Sequence, residues 1–132
     1  MCNAGEVKIY SILLAEDNLI NSTLFSKALE HYGHNVTVVE NGEDAVMAAR
    51  NKAFDVILMD IDMPVMNGID ATFEIRKFNC LIPIIAFTSS VEFRCGDYYQ
   101  EFGMDGYVNK IIQVKELQSA IESVIWKKIN RR

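Results

Sequence analysis

VILMDID, residues 56–62, opens with four consecutive apolar residues and then reaches a carboxylate, Asp60. An apolar run without polar alternation suits a strand covered on both faces, as in a parallel sheet flanked by helices. Three further runs share this form. Ile12 to Ala15 precedes Glu16 and Asp17, Ile82 to Phe87 precedes Thr88, and Tyr107 and Val108 lead to Lys110. If these strands lie parallel, three acids, a hydroxyl and an ammonium meet at one carboxyl edge, where open α/β sheets bind ligands. That set of groups points to phosphate chemistry.

Five apolar runs, near 9–15, 35–39, 54–59, 82–87 and 106–109, alternate with five stretches suited to helices, the pattern of βα units. Asn18 is placed to cap a helix over about 19–32 whose apolar residues are Leu24, Phe25, Ala28, Leu29 and Tyr32, with Gly33 to end it. A second helix, 43–52, follows Asn41-Gly42 and packs through Ala45, Val46, Ala48 and Ala49. A third presents Ala71, Ile75 and Phe78, and Pro83 then fits the first residue of a strand. The fourth, 91–102, is weakened by Gly96, which costs about 1 kcal/mol relative to Ala. The fifth aligns Val114, Leu117, Ile121, Val124, Ile125 and the Lys128 stem. Right-handed crossovers put helices on both faces, so the expected fold is a three-layer α/β sandwich around a five-stranded parallel sheet.

A chain of 132 residues suits one domain, taken as 9–129 between an N-terminal tail, 1–8, and a C-terminal tail, 130–132. With no linker composition or internal repeat, no second domain is expected. The longest apolar stretch, Leu81 to Phe87, is too short for a bilayer, and the N-terminus has no signal-peptide core. A soluble cytoplasmic protein is the expectation. The net charge of −5 disfavours direct nucleic-acid binding and favours a cation or a basic partner. Cys2, Cys80 and Cys95 have no metal spacing and read as reduced thiols, the last two as packing residues. His31 and His34, at a helix end and the next turn, read as surface residues, and WKKINRR as a basic helix terminus.

Glu16, Asp17 and Asp60 repel one another if they converge, and a bound divalent cation relieves that repulsion. An all-oxygen donor set without His or Cys suits Mg²⁺, or Mn²⁺ in its place. Glu16-Asp17 alone would read more simply as a solvated acidic rim, Thr88 as a turn residue and Lys110 as a solvated charge. Together they offer what phosphoryl oxygens need, with Asp60 as the nucleophile and an acyl phosphate as product. Such a bond hydrolyses readily and suits a transient signal.

In order and spacing, ILLAEDN (12–18), NGEDAV (41–46), VILMDIDMPVMNG (56–68), IIAFTSS (84–90) and GMDGYVNK (103–110) resemble the receiver domains of two-component response regulators, the CheY-like family. The resemblance implies a flavodoxin-like strand order, 2-1-3-4-5. It also implies Asp60 as phosphoacceptor, Asp17 and Asp60 as direct Mg²⁺ ligands, Glu16 acting through water, and Asp62 contributing its backbone carbonyl. Thr88 and Lys110 hold phosphoryl oxygens, Tyr107 is the switch aromatic, and Asp62 and Ser90 tune the rate of dephosphorylation. The donor is a phosphohistidine on a histidine kinase or a histidine phosphotransfer domain. Docking of the donor falls to the first helix, and a surface within 91–125 meets a downstream protein or output domain. The chain is expected to be a switch rather than an enzyme, to be monomeric or to dimerise on phosphorylation, and not to bind membranes by itself.

One departure stands out: the family usually has proline after the lysine, and here Ile111 follows Lys110. A cis bond before a non-proline residue costs about 3 kcal/mol, so a trans bond and a rearranged 110–113 loop are expected. The EDN-LIN start and NGEDAV resemble receivers attached to hybrid histidine kinases. With no output domain after the last helix, the chain reads as a single-domain regulator, a relay intermediate or a piece of a larger kinase. Asp60-Ile61-Asp62 also resembles the D-x-D of haloacid-dehalogenase-type phosphohydrolases, but there the motif follows the first strand and the further acids come after the lysine. The other alternative is a pseudo-receiver that only binds partners.

Overall fold

A computed structural model describes residues 8–89 and 98–130. The elements are β1 (Ser11–Ala15), α1 (Leu19–His31), β2 (Asn35–Val39), α2 (Gly42–Asn51), β3 (Val56–Met59), α3 (Gly68–Arg76), β4 (Ile84–Thr88), a 3-10 helix (Tyr98–Phe102), β5 (Gly106–Asn109) and α4 (Val114–Asn130). All strands pair in parallel in the order β2-β1-β3-β4-β5. Chain progression reverses between β1 and β3, and a crevice at the carboxyl ends is expected there.

Side chains alternate across each strand, so the sheet supports two cores. Leu13, Ala15, Ile57, Met59, Ile84 and Ala86 pack beneath Ala45 and Val46 of α2 and Ala71 and Ile75 of α3. Ile12, Leu14, Val56, Leu58, Ile85 and Phe87 pack beneath Phe25 and Leu29 of α1 and Leu117, Ile121 and Ile125 of α4. Because β1, β3 and β4 are buried on both faces, they show no polar alternation.

Helix starts follow local chemistry. Asn18, Asn41 and Asn67 each accept, through the side chain, the N–H three residues on, capping α1, α2 and α3. Gly33 follows the end of α1, its N–H donating to Glu30 O. Strands β1, β3 and β4 begin two residues later than the sequence suggested, and Pro83 lies just before β4, its carbonyl accepting the Ile57 N–H.

Several expectations are corrected. Leu24 is 57% exposed, because Ser22, Phe25 and Leu29 define the buried stripe of α1 and Leu24 lies about 100° from Phe25. Phe78 falls beyond the end of α3 and is exposed, with the Arg50 guanidinium over its ring. Cys80 is exposed rather than packed, while Cys2 and Cys95 lie outside the described residues. His34 is buried, not a surface residue: Nδ1 accepts the Tyr10 N–H at 3.0 Å and Nε2 lies 2.7 Å from Gln118 Oε1. With Nδ1 accepting, the ring proton belongs on Nε2, donating to Gln118 on α4. Of the expected fourth helix, 98–102 form the 3-10 helix and 91–97 lie outside the described residues, leaving four α-helices among the described residues rather than five.

Candidate functional site

The first turn after β1 and the first after β3 begin inside the sheet ladder. Glu16 donates its N–H to Val39 O at 2.9 Å, and Asp60 donates its own to Ala15 O at 3.1 Å. These bonds place both carboxylates at the switch point, Glu16 1% and Asp60 3% exposed. Asp17, next along the chain, is exposed. Oxygen atoms of Glu16, Asp17 and Asp60 lie within 4.8 Å of one another, a set that can hold a metal ion.

Lys110 crosses from β5 into this cluster. Its Nζ lies 2.5 Å from Glu16 Oε1 and 2.9 Å from Asp60 Oδ2. Glu16 Oε2 accepts the Asn18 N–H, and Asp60 Oδ1 accepts the Asp62 N–H at 3.3 Å. Burial pushes the Asp60 carboxyl up from 3.8 to about 6; Lys110 and the Asp62 N–H oppose the rise and Glu16 adds to it. Burial pulls Lys110 down, but its two carboxylate partners outweigh that, and its pKa rises. At neutral pH the Lys110 ammonium is therefore clamped between the buried Glu16 and Asp60 side chains. The excess negative charge and all-oxygen donors suit a hard divalent cation.

Thr88 is 1% exposed at the end of β4, and its carbonyl accepts the Lys110 N–H at 3.2 Å. Tyr107 is half-buried on β5, level with Ala86 and packed against the core beneath α2 and α3. Asp62 is exposed and outside the acidic trio, its contact with the site being its backbone N–H. Ser90 lies outside the described residues. The bond before Ile111 is trans, since there are no cis peptide bonds among the described residues.

Three supporting features had no clear signal in the sequence. A Cβ on Gly68 would meet Asp60 O at 2.0 Å, and one on Gly42 would meet Met66 O at 2.2 Å, so helix starts press directly on the backbone of the loop after β3. Within that loop Val65 has φ +69°, uncommon for a β-branched residue, inside a γ-turn closed by Met66 N–H to Pro64 O at 2.7 Å. Asn109 brackets Lys110: its Oδ1 accepts the Ile111 N–H at 3.0 Å and its Nδ2 approaches the Tyr107 hydroxyl at 3.4 Å. An Asn before the lysine with a non-proline two residues on was the available hint for this last arrangement.

The family model described as "Response regulator receiver domain" matches residues 12–122. Hybrid signal transduction histidine kinase I of Dictyostelium discoideum is 36% identical over 127 residues, covering 89% of this chain and 7% of that protein. Two-component system protein A of Emericella nidulans is 36% identical over 119 residues, covering 88% of this chain and 17% of that protein. The chain thus spans a small part of the curated relatives it matches. Among solved structures, the receiver domain of sensor histidine kinase PA1611 from Pseudomonas aeruginosa superposes with TM-score 0.81 at 37% identity, covering 89% of this chain and 98% of that one. That domain has a magnesium ion coordinated in its active-site cleft. A CheY-like receiver from Methanospirillum hungatei, TM-score 0.83 at 20% identity, shares the fold. The family match spans the sheet, the acidic turn after β1, Asp60 and Lys110 together, which sets aside the phosphohydrolase alternative, and the chain belongs to the response regulator receiver domain family.

Proposed function

We propose that this receiver is a phosphorylatable switch, with residues 9–129 as the working domain and Asp60 as the acceptor. The observation behind this is the Lys110 ammonium 2.9 Å from Asp60 Oδ2, inside a trio of acids that converge within 4.8 Å. An Asp60 oxygen attacks phosphorus as the P–N bond breaks, its electron pair returning to a donor imidazole protonated on its other nitrogen, which leaves as neutral histidine and yields an acyl phosphate. Glu16, Asp17 and Asp60, with the Asp62 backbone carbonyl, would hold Mg²⁺, with Mn²⁺ able to replace it. When bound, the cation offsets negative charge that builds on the transferring oxygens. Lys110 and Thr88 hold those oxygens, and Tyr107 responds as Thr88 shifts toward them. Asp62 and Ser90 set how quickly water removes the phosphoryl group.

The donor is a histidine kinase or histidine phosphotransfer domain. Leu19, Ile20 and Leu24, at 78%, 78% and 57% exposure, form an apolar strip on α1 beside Asp17, which supports docking there. A downstream protein or output domain reads the 91–125 surface. The chain acts in the cytoplasm, as a monomer or a phosphorylation-dependent dimer, and catalyses only its own phosphorylation and dephosphorylation. Among the described residues no helix is long and apolar enough to cross a membrane. With Mg²⁺, acetyl phosphate or phosphoramidate is expected to label the wild type and leave Asp60→Asn unlabelled, as read by intact mass. Equal labelling of the mutant would sink the assignment of Asp60.

A further inference from the structure

Ile111 has a backbone N–H that a proline there would lack. It lies two residues past Asn109, the last residue of β5. Asn109 takes up this donor through Oδ1 at 3.0 Å, an Asx-type turn around Lys110. The same side chain extends its amide to the Tyr107 hydroxyl at 3.4 Å, since residues two apart on a strand share a face. Lys110 is held on its other side by its N–H to Thr88 O, and the Ile112 N–H closes onto Asn109 O at 3.0 Å.

We propose that Asn109 is a positioning residue of this site, coupling the Tyr107 hydroxyl to the turn that aims Lys110 at Asp60. Asn109 does by hydrogen bonding what a ring at 111 would do by fixing φ. A side-chain tether of this kind has a second end, at Tyr107, so movement of that ring is transmitted to the backbone on which Lys110 sits. The inference rests on the reading of Asp60 as phosphoacceptor.

The test is a cycle of wild type, Asn109→Ala, Tyr107→Phe and the double variant, with two readouts. The first is amide exchange of Ile111 by NMR, which needs no phosphorylation. Loss of the tether should raise it severalfold in Asn109→Ala, and Tyr107→Phe should raise it too, although Tyr107 does not touch that amide. The second is the maximal rate of phosphoramidate labelling at saturating Mg²⁺. Each single variant should be slower by about three- to tenfold, the effect of one neutral hydrogen bond, and the double no slower than the slower single. Unchanged Ile111 exchange in Tyr107→Phe would overturn the coupling. So would multiplicative rate losses in the double, or a lower melting temperature in Asn109→Ala with an unchanged rate. A wild type that is never labelled would instead overturn the phosphoacceptor reading, leaving the exchange result to decide whether the tether exists.

Discussion

Asp60 illustrates how a single residue can oppose the fold it serves. Its pKa of about 6 against an ordinary 3.8 means that the folded chain binds the proton more tightly than the unfolded one. Ionising this group therefore costs stability, and the loss accumulates as pH rises from about 4 to 6, then stays constant. In metal-free buffer, the stability of Asp60→Asn relative to wild type should thus grow across that window, by up to about 3 kcal/mol, and level off above it. Denaturant titrations of both proteins at several pH values check this; a difference independent of pH would contradict it. The identity of Asp60, Asp17, Glu16 and Lys110 as a set was legible in the sequence, because each follows an apolar run. Their contacts were not. That Lys110 bridges Glu16 and Asp60 depends on β1, β3 and β5 joining one sheet with β4 between the last two, and the Asn109 tether depends on a backbone N–H that the usual proline would lack.

At the level of elements, α3 and its preceding loop form a rigid backing for Asp60. Gly68 donates its N–H to Ile61 O at 2.9 Å, and its missing side chain lets the helix start sit against the Asp60 carbonyl. Gly68→Ala should destabilise the fold by about 1–3 kcal/mol, the range for forced overpacking, since the clash is with backbone that cannot swing away. It should also slow phosphoramidate labelling of Asp60 at temperatures where the variant remains folded, as measured by intact mass. Wild-type labelling in a fully folded variant would show that α3 does not position the acceptor. The asparagine caps of α1, α2 and α3 could be expected from local sequence, because a cap is an interaction over three residues. The strained γ-turn at Val65 could not. Val65 has no local preference for positive φ, and the turn persists within a loop whose Met66 O is gripped by the Gly42 N–H and whose Gly68 N–H is bound to Ile61 O.

For the whole molecule, the two edges of the sheet have opposite tasks. At the amino edge Arg76 donates to Gly103 O, Asn79 O and Ile82 O and pairs with Asp105, which also accepts from Ile84 N–H and Lys128. This network ties α3, β4, β5 and α4 together with little exposed charge. Arg76→Ala should cost about 2–4 kcal/mol, read by urea denaturation, while Asp60 is still labelled in the folded protein. At the carboxyl edge the acids are crowded instead, so a ligand should restore what the crowding costs. Mg²⁺ at a hundred times its dissociation constant should stabilise the wild type by about 2.7 kcal/mol. Asp17→Asn should blunt that gain, and a melting temperature insensitive to Mg²⁺ in the wild type would contradict a cation site. The sequence by itself determined the parallel α/β class, the near-complete list of strands and helices and the chemical identity of the site, because apolar runs, caps and terminal polar residues are local patterns. Only the tertiary structure decided that His34 is buried beneath α4, that Leu24 faces solvent, and that Asn109 tethers Lys110's turn to Tyr107, because each depends on which distant element packs alongside.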